Sequence, residues 1–361
     1  MNVNLRQLKN NPALWIISGI ILLLAIVVIL LVLLVTRRDT STSTITQTSN
    51  TESTSNSSDT TTNQNSGSNL NKGTVSNLSG GVTSFTNLKG LTLRINQIET
   101  CNESVVSAFV SVSAKSGDVN TEFTKQNVTV YLDNSKLSEF DFEPINPTKL
   151  PLASMLVIDK SGSMKGDPIV NAKSAATGFV DKLRTADQVG VIQFDTTVSV
   201  LSRVSTDKVV AKSAIAGITA AGDTAIYDAL ATAVTESPSC GRKAIVVLSD
   251  GEDTASKNAS VKSVIDAASK ANLPIFSVGI KSSGFDPNNI TAISNATGGQ
   301  YLEANTSTEV SNLYGKIEGQ LSGQFVANLR MTVPKDGTVH TLKIVSNVGG
   351  SNTSSERSFL Y

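Results

Sequence analysis

The sequence contains very little histidine and cysteine, and each shortage excludes classes of site. His340 is the single histidine among 361 residues, which rules out most zinc sites. It stands in a strand-like stretch, 338–345, where we expect a surface or edge residue. The two cysteines, Cys101 and Cys240, are too few for a disulfide scaffold and lack CxxC spacing.

Charge of one sign is not in excess either. Lys plus Arg number 30, and Asp plus Glu also number 30, so no global field draws the chain to nucleic acid or to an acidic membrane. The sequence has no phosphate-binding GxxxxGK(S/T) loop and no GxSxG nucleophile elbow. We therefore expect no nucleic-acid partner and no enzymatic activity.

An uninterrupted apolar run, 13–35, is the first feature that the sequence does contain. A helix of this length would extend roughly 35 Å at about 1.5 Å per residue, which is enough to cross a bilayer. The run is longer than the core of a signal peptide and ends in Thr36-Arg37-Arg38. We predict a retained transmembrane helix after an N-terminal tail, 1–12. The basic residues on its two sides are nearly balanced and do not fix its orientation.

Residues 36–82 are dominated by Ser, Thr, Asn, Gln and Gly. Such a segment cannot bury enough apolar surface to offset its ordering entropy, so we expect a disordered stalk. A plain polar linker and a glycosylated stalk both fit this composition. An anchor followed by a polar stalk favours an exported domain, so we predict a single-pass cell-membrane protein with residues 36–361 outside the cytoplasm.

Two separate segments, 83–150 and 323–361, show the period-two pattern of half-buried antiparallel strands. Runs such as LTLRINQI, VVSAFVSVSA and VTVYLD alternate apolar and polar residues without an intervening helix. We predict that the second segment completes a small β-sandwich begun by the first, with the residues between them inserted as a domain. A separate terminal hairpin packed on that domain is the alternative.

Residues 151–322 alternate strand-like runs with amphipathic helical runs. The strand-like runs are MLVID, VGVIQF, AIVVLSD, PIFSVGI and GQYLEA. Continuous apolar strands separated by amphipathic helices are typical of an α/β domain with a doubly wound, mostly parallel sheet.

Oxygen-bearing side chains follow the strands of this predicted sheet. They are Asp159, Ser161, Ser163, Thr224 and Asp250. In an open α/β sheet, ligands lie beyond the carboxyl ends of the strands, where the three loops carrying these residues meet. Two carboxylates and three hydroxyls are hard donors that suit Mg²⁺, and Mn²⁺ or Ca²⁺ fits the same kind of donor set.

This pattern, DxSxS followed by a Thr and then by an Asp, resembles the metal-ion-dependent adhesion site of von Willebrand factor A domains. The resemblance covers the whole predicted α/β domain, with the elements in the family's order. It implies that Ser161 and Ser163 bind the cation directly. It also implies that Thr224 binds directly or through water, while Asp159 and Asp250 hold the cation's waters.

The resemblance implies a cell-surface module that binds a protein partner through a divalent cation and a partner Asp or Glu carboxylate. The alternative is an assembly or regulatory subunit of a membrane or ATPase-linked complex. Lys160, inside the motif, is expected to be a packing or surface residue. Asp223, Glu252 and Asp253 are expected to be solvated loop acids.

The predicted topology also bears on the two cysteines. Cys240 precedes the strand 244–249, which leads to Asp250 at the metal face, so Cys240 belongs to the opposite pole. The sandwich must join the domain at that pole, and Cys101 lies between the first two sandwich strands. A Cys101–Cys240 bridge is therefore geometrically possible, and export would permit it. Two separate thiols remain the alternative.

Overall fold

The computed structural model describes residues 91–113, 123–282, 285–348 and 351–361. The predicted tail, transmembrane helix and stalk, which together cover 1–82, lie outside the described residues. Within the described ranges, none of the helices combines the length and the apolar character that crossing a bilayer requires.

The α/β domain is built on a mixed sheet. Its strands are β6 (Leu152–Asp159), β7 (Gln188–Phe194), β8 (Val198–Ser205), β9 (Arg242–Ser249), β10 (Ile275–Ile280) and β11 (Tyr301–Ala304). In the described part of the chain they form a six-stranded sheet in the order β11-β10-β9-β6-β7-β8. Neighbouring strands are parallel except β7 and β8. The predicted doubly wound, mostly parallel sheet is confirmed.

Helices cover both faces of this sheet. They are α1 (Asp167–Lys182), α2 (Lys208–Ala216), α3 (Ile226–Glu236), α4 (Val261–Lys270), α5 (Asn288–Thr297) and α6 (Val310–Ser322). Along β6, Leu156 and Ile158 pack with α1, α2 and α6, whereas Met155 and Val157 pack with α3, α4 and α5. Because consecutive strand residues point to opposite faces, β6 is buried on both sides, which explains its continuous apolar sequence.

Strand β8 is the element of this sheet that the sequence pattern did not predict. It follows β7 after the short turn 195–197, where an alternating strand–helix pattern would place a helix. It forms an edge of the sheet, and its side chains Val200 and Arg203 are exposed. A half-exposed edge strand lacks the apolar run that marks the central strands.

The remaining strands form two antiparallel sheets. Before the α/β domain come β1 (Thr92–Glu99), β2 (Val105–Ser113), β3 (Val128–Leu132), β4 (Ser135–Lys136) and β5 (Asp141–Pro144), and after it come β12 (Phe325–Arg330), β13 (Val339–Val348) and β14 (Ser351–Leu360). Among the residues described, their orders are β1-β2-β12-β5 and β14-β13-β3-β4. Each sheet combines strands from both sides of the α/β domain, so the chain after residue 322 is not a separate hairpin. Val110, Phe325 and Ile344 belong to the apolar core that the two sheets share.

A bulge in β1 aims two adjacent amide side chains at the α/β domain. The register of β1 against β2 shifts at Asn96. At such a bulge, neighbouring side chains no longer have to point to opposite faces of the sheet. Asn96 Nδ2 donates to the carbonyl oxygen of Gly298 at 2.8 Å, and its Oδ1 accepts from Gln324 Nε2 at 3.0 Å. Gln97 Nε2 donates to the carbonyl oxygen of Gly241 at 2.7 Å. The sheet that contains β1 is thus joined to the α/β domain by one buried and one partly buried hydrogen bond.

The two cysteines form a disulfide at this junction. The Cα atoms of Cys101 and Cys240 are 5.9 Å apart, and 139 positions separate them in sequence. The carboxylate of Glu99 accepts the backbone N–H groups of Cys101 and Gly241, each at 2.7 Å. Of the two alternatives that the sequence left open, the structure has the bridge.

His340 is buried, so the expectation of a surface or edge position was wrong. It lies on β13, which has β3 on one side and β14 on the other. Its Nδ1 is 2.7 Å from Oδ2 of Asp133, whose other oxygen accepts the Thr341 N–H at 2.8 Å. These hydrogen bonds, with that of His340 the stronger influence, lower the pKa of Asp133.

Replacing both cysteines, Cys101→Ser with Cys240→Ser, should lower the free energy of unfolding by about 2–4 kcal/mol, because the bridge closes a long loop in the unfolded chain. Denaturant unfolding of the full chain measures this change. A reductant should destabilise the native chain by a similar amount and leave the double variant unaffected. Equal unfolding midpoints for the native chain and the double variant would show that the bridge carries no stability.

Candidate metal site

The two carboxylates of the predicted site are brought together by strand pairing. Asp159 is the last residue of β6, and Asp250 directly follows β9. These strands are parallel neighbours in which Ile158 is opposite Leu248, and parallel strands end at the same edge of a sheet. Both carboxylates are buried, Asp159 completely.

The two predicted serines lie between these carboxylates on the turn after β6. The hydroxyl oxygens of Ser161 and Ser163 are 3.0 Å apart. Ser163 Oγ donates to Oδ1 of Asp250 at 2.7 Å. Ser161 is buried and Ser163 is exposed, so the pair leads from the interior of the domain to its surface.

Thr224 reaches the same place from a loop held by close backbone contacts. Gly162 N donates to the carbonyl oxygen of Gly222 at 2.8 Å. Gly222 has a positive φ of 80°, and a Cβ there would lie 2.9 Å from Thr196 Oγ1, so the position requires glycine. A Cβ on Gly251 would lie 3.4 Å from Thr224 Oγ1 and 3.9 Å from Ser163 Oγ. The structure therefore brings all five predicted donors together.

The spacing of these oxygens fits a small octahedral cation. Two oxygens bound at right angles to Mg²⁺, each at about 2.1 Å, lie about 3.0 Å apart. The hydroxyl oxygens of Ser161 and Ser163, the two expected direct ligands, are separated by 3.0 Å, which matches that spacing. Every donor is a hard oxygen, as Mg²⁺ and Mn²⁺ prefer.

Burial makes the two carboxylates costly to ionise. It raises the pKa of Asp159 to about 6, although hydrogen bonds from Ser249 and Ser161 oppose the rise. Burial also raises the pKa of Asp250, opposed by the hydrogen bond from Ser163. A nearby cation favours ionised carboxylates. Local electrostatics and donor chemistry thus both favour a cation.

Ser249 and Ser282 also contribute to the site, although the sequence pattern did not single them out. The buried Ser249 hydroxyl donates to Oδ2 of Asp159, whose Oδ1 accepts the Ser161 N–H at 2.7 Å. Ser282 Oγ donates to the carbonyl oxygen of Asp250 at 2.7 Å. The sequence did contain one indication of Ser249, because this hydroxyl residue ends the apolar run AIVVLS directly before Asp250.

Lys160 and two of the three neighbouring acids, Glu252 and Asp253, hold loops in place. Lys160, expected as a packing or surface residue, forms a largely buried ion pair with Asp195 after β7. Glu252 accepts the backbone N–H of Asp286 at 3.0 Å. Asp253 accepts the Ser256 hydroxyl at 2.5 Å and is half-buried rather than fully solvated. The exposed Asp223 donates its own N–H to Thr196 Oγ1 at 2.9 Å.

The family model of the von Willebrand factor type A domain matches residues 155–316. We refer to this matched part of the chain as the VWA domain. The match runs from β6 into α6 and includes all five predicted donors.

Curated relatives extend this similarity. The chain is 34% identical over 138 residues to an uncharacterized protein of Synechocystis, covering 36% of this chain and 32% of that protein. It is 28% identical over 253 residues to the mouse inter-alpha-trypsin inhibitor heavy chain H2, covering 65% of this chain and 26% of that protein. The chain spans about a third or less of the length of these relatives.

A solved structure of a von Willebrand factor type A protein from Catenulispora acidiphila is also similar. It has 14% sequence identity and a TM-score of 0.45, and the similarity covers 74% of this chain and 72% of that chain.

Replacing Ser249 by Ala should weaken binding of Mg²⁺ or Mn²⁺ to the VWA domain about 10–100-fold, because the Asp159 carboxylate loses the hydrogen bond that orients it. Calorimetric titration of the full chain measures the affinity. Ser249→Thr keeps a hydroxyl, so its metal affinity should stay near that of the native chain.

The matched control is Ser154→Ala on β6. Its buried hydroxyl has no hydrogen-bond partner within the described residues, so its removal should leave metal affinity unchanged. Native affinity in Ser249→Ala would exclude a positioning role for Ser249.

Proposed function

We propose that this protein is a divalent-cation-dependent protein-binding module of the cell surface. Proteins with VWA domains commonly mediate protein interactions. The single observation that carries the proposal is the convergence of two buried carboxylates and three hydroxyls at one edge of the sheet. That edge reaches the surface at Ser163, where a partner could approach.

Mg²⁺ is the proposed ion, and Mn²⁺ or Ca²⁺ is its substitute. When bound, the cation supplies positive charge and a coordination position that a partner Asp or Glu carboxylate can take. Ser161 and Ser163 are proposed as direct ligands, and Thr224 as a direct or water-mediated one. Asp159 and Asp250 are proposed to hold waters, since their oxygens already accept hydrogen bonds from the protein.

We further propose that the protein is not an enzyme. A hydrolase built on a bound metal needs a general base or nucleophile beside it. The sequence places no histidine in the VWA domain, and it has neither a phosphate-binding loop nor a nucleophile elbow. These features favour a binding role.

A location at the cell membrane is part of the same proposal. The apolar run 13–35 would be the single span, with residues 36–361 outside the cytoplasm. The Cys101–Cys240 disulfide supports this location, because such bonds persist in oxidising compartments and are rare in the cytosol. The alternative, an assembly or regulatory subunit, would place the VWA domain beside a membrane or ATPase complex.

Asp159→Ala should abolish binding of Mg²⁺ and Mn²⁺, since it removes a buried carboxylate at the centre of the donor set. Titration of the full chain tests this, with Asp266→Ala as the control because Asp266 is an exposed acid on α4. The variant should also lose cation-dependent retention of extracellular proteins on beads that carry the full chain. Retention that persists undiminished in excess chelator would overturn the proposal.

Protease treatment of intact cells distinguishes the two locations. Digestion should remove the VWA domain if residues 36–361 face outward, and an antibody against the domain would then detect no intact chain. A domain that survives digestion on intact cells but is cut after lysis would favour the assembly-subunit alternative.

A further inference from the structure

Thr224 is carried by a short segment, 221–225, that forms neither helix nor strand. Because this Thr224 segment has no hydrogen-bond ladder of its own, its backbone groups bond to neighbouring loops. On one side, the Thr254 hydroxyl accepts the Thr224 N–H at 3.0 Å, and the Thr254 N–H donates to the Thr224 carbonyl oxygen at 2.8 Å. The position of the Thr224 hydroxyl therefore depends on the loops around it.

On its other side, the Thr224 segment is held by two loops, the one after β6 and the one after β7. The carbonyl oxygen of Lys160 accepts the Ala221 N–H at 2.6 Å. The carbonyl oxygen of Asp195 accepts the Ala225 N–H at 2.8 Å. These two hydrogen bonds fix both ends of the segment.

The side chains of Lys160 and Asp195 join these two loops to each other. They form an ion pair in which each side chain is only 14% exposed. The other carboxylate oxygen of Asp195 accepts the Thr197 N–H at 2.8 Å, so the acid is also fixed within its own turn. Gly222, in the Thr224 segment, approaches this carboxyl group so closely that a Cβ on it would lie 3.1 Å from Asp195 Cγ. The ion pair is therefore packed directly against the segment.

Such a pair contributes more to geometry than to stability. Removing two charges from water costs about as much free energy as their attraction returns, whereas a buried charge without its partner is strongly unfavourable. The pairing of β6 with β7 ends at Asp159 and Phe194, so the ion pair acts on the turns beyond the sheet. It keeps these turns at a fixed separation, and that separation determines where the Thr224 hydroxyl lies.

The charges of the pair allow geometry to be separated from electrostatics. Lys160 carries its positive charge between the donors Asp159 and Ser161 in sequence, so removing this charge alone favours a cation nearby. Removing the Asp195 charge alone disfavours a cation. Removing both leaves the net charge around the site unchanged, and any loss of metal affinity then reflects geometry.

We propose that the Lys160–Asp195 ion pair positions the donor set of the cation site and that it acts through Thr224. Neither side chain of the pair is a ligand. The pair holds the two loops to which the Thr224 segment is hydrogen-bonded, and so it keeps the Thr224 hydroxyl beside the serines. This inference rests on the proposed function, because Thr224 has this role only at a site that binds a cation.

The test variant is Lys160→Met with Asp195→Asn, which removes both charges and keeps an oxygen acceptor for the Thr197 N–H. Its affinity for Mn²⁺, measured by calorimetric titration of the full chain, should be about tenfold weaker than that of the native chain. The matched control is Lys212→Met with Asp181→Asn, which removes the more exposed ion pair between α2 and α1. This control should keep native Mn²⁺ affinity, and denaturant unfolding checks that both double variants are folded.

Thr224→Val shows whether the ion pair acts through the threonine hydroxyl. This substitution nearly keeps the shape of the side chain and should by itself weaken Mn²⁺ binding about tenfold or more. Adding Lys160→Met and Asp195→Asn to it should cause no further loss, because the group that the pair positions is already absent. A general structural role would weaken binding by the same factor in both backgrounds, and that result would overturn the inference.

Lys160→Met alone is a second test that does not depend on the double variant. Its charge change favours tighter Mn²⁺ binding, whereas loss of positioning should make binding weaker, so tighter binding would contradict the inference. Native affinity in the variant without the ion pair would overturn the inference and leave the proposed function standing. A native chain that binds no Mn²⁺ would overturn the proposed function together with this inference.

Discussion

The pairing of β6 with β9 places two carboxylates in a buried position, where ionising them costs free energy, and the rest of the site is arranged around them. Because the strands are parallel neighbours, Asp159 and Asp250 emerge at the same edge of the sheet. Their burial raises the pKa of each, so ionising both costs free energy. Hydrogen bonds from the Ser163 and Ser249 hydroxyls and from the Ser161 backbone N–H reduce this cost. A divalent cation would offset what remains.

The loops that carry the five predicted donors could be identified from sequence because DxSxS and the later Thr and Asp are local patterns at strand ends. Side chains whose roles depend on neighbours distant in sequence could not be identified in this way. Lys160 pairs with Asp195, 35 positions away, only because β6 lies beside β7. Ser249 contacts Asp159 across 90 positions, which no local pattern shows. His340 is buried because β13 became a central strand.

The opposite pole of the VWA domain is where the domain is attached to the two antiparallel sheets. The chain must enter and leave an inserted domain near one place if strands from both sides are to share a sheet. A bulge in β1 turns Asn96 and Gln97 towards the domain, where their side chains donate hydrogen bonds to backbone carbonyl oxygens. The Cys101–Cys240 bridge joins the same surfaces. The candidate metal edge thus lies away from the attachment.

The anomalous diffraction of Mn²⁺ in crystals of the full chain tests most directly whether these five residues hold a divalent cation. We predict a peak within about 2.2 Å of the hydroxyl oxygens of both Ser161 and Ser163, with ordered waters joining it to Asp159 and Asp250. The peak should vanish in Asp159→Ala. A native crystal that shows Mn²⁺ only elsewhere, with Ser163 still hydrogen-bonded to Asp250, would contradict this assignment.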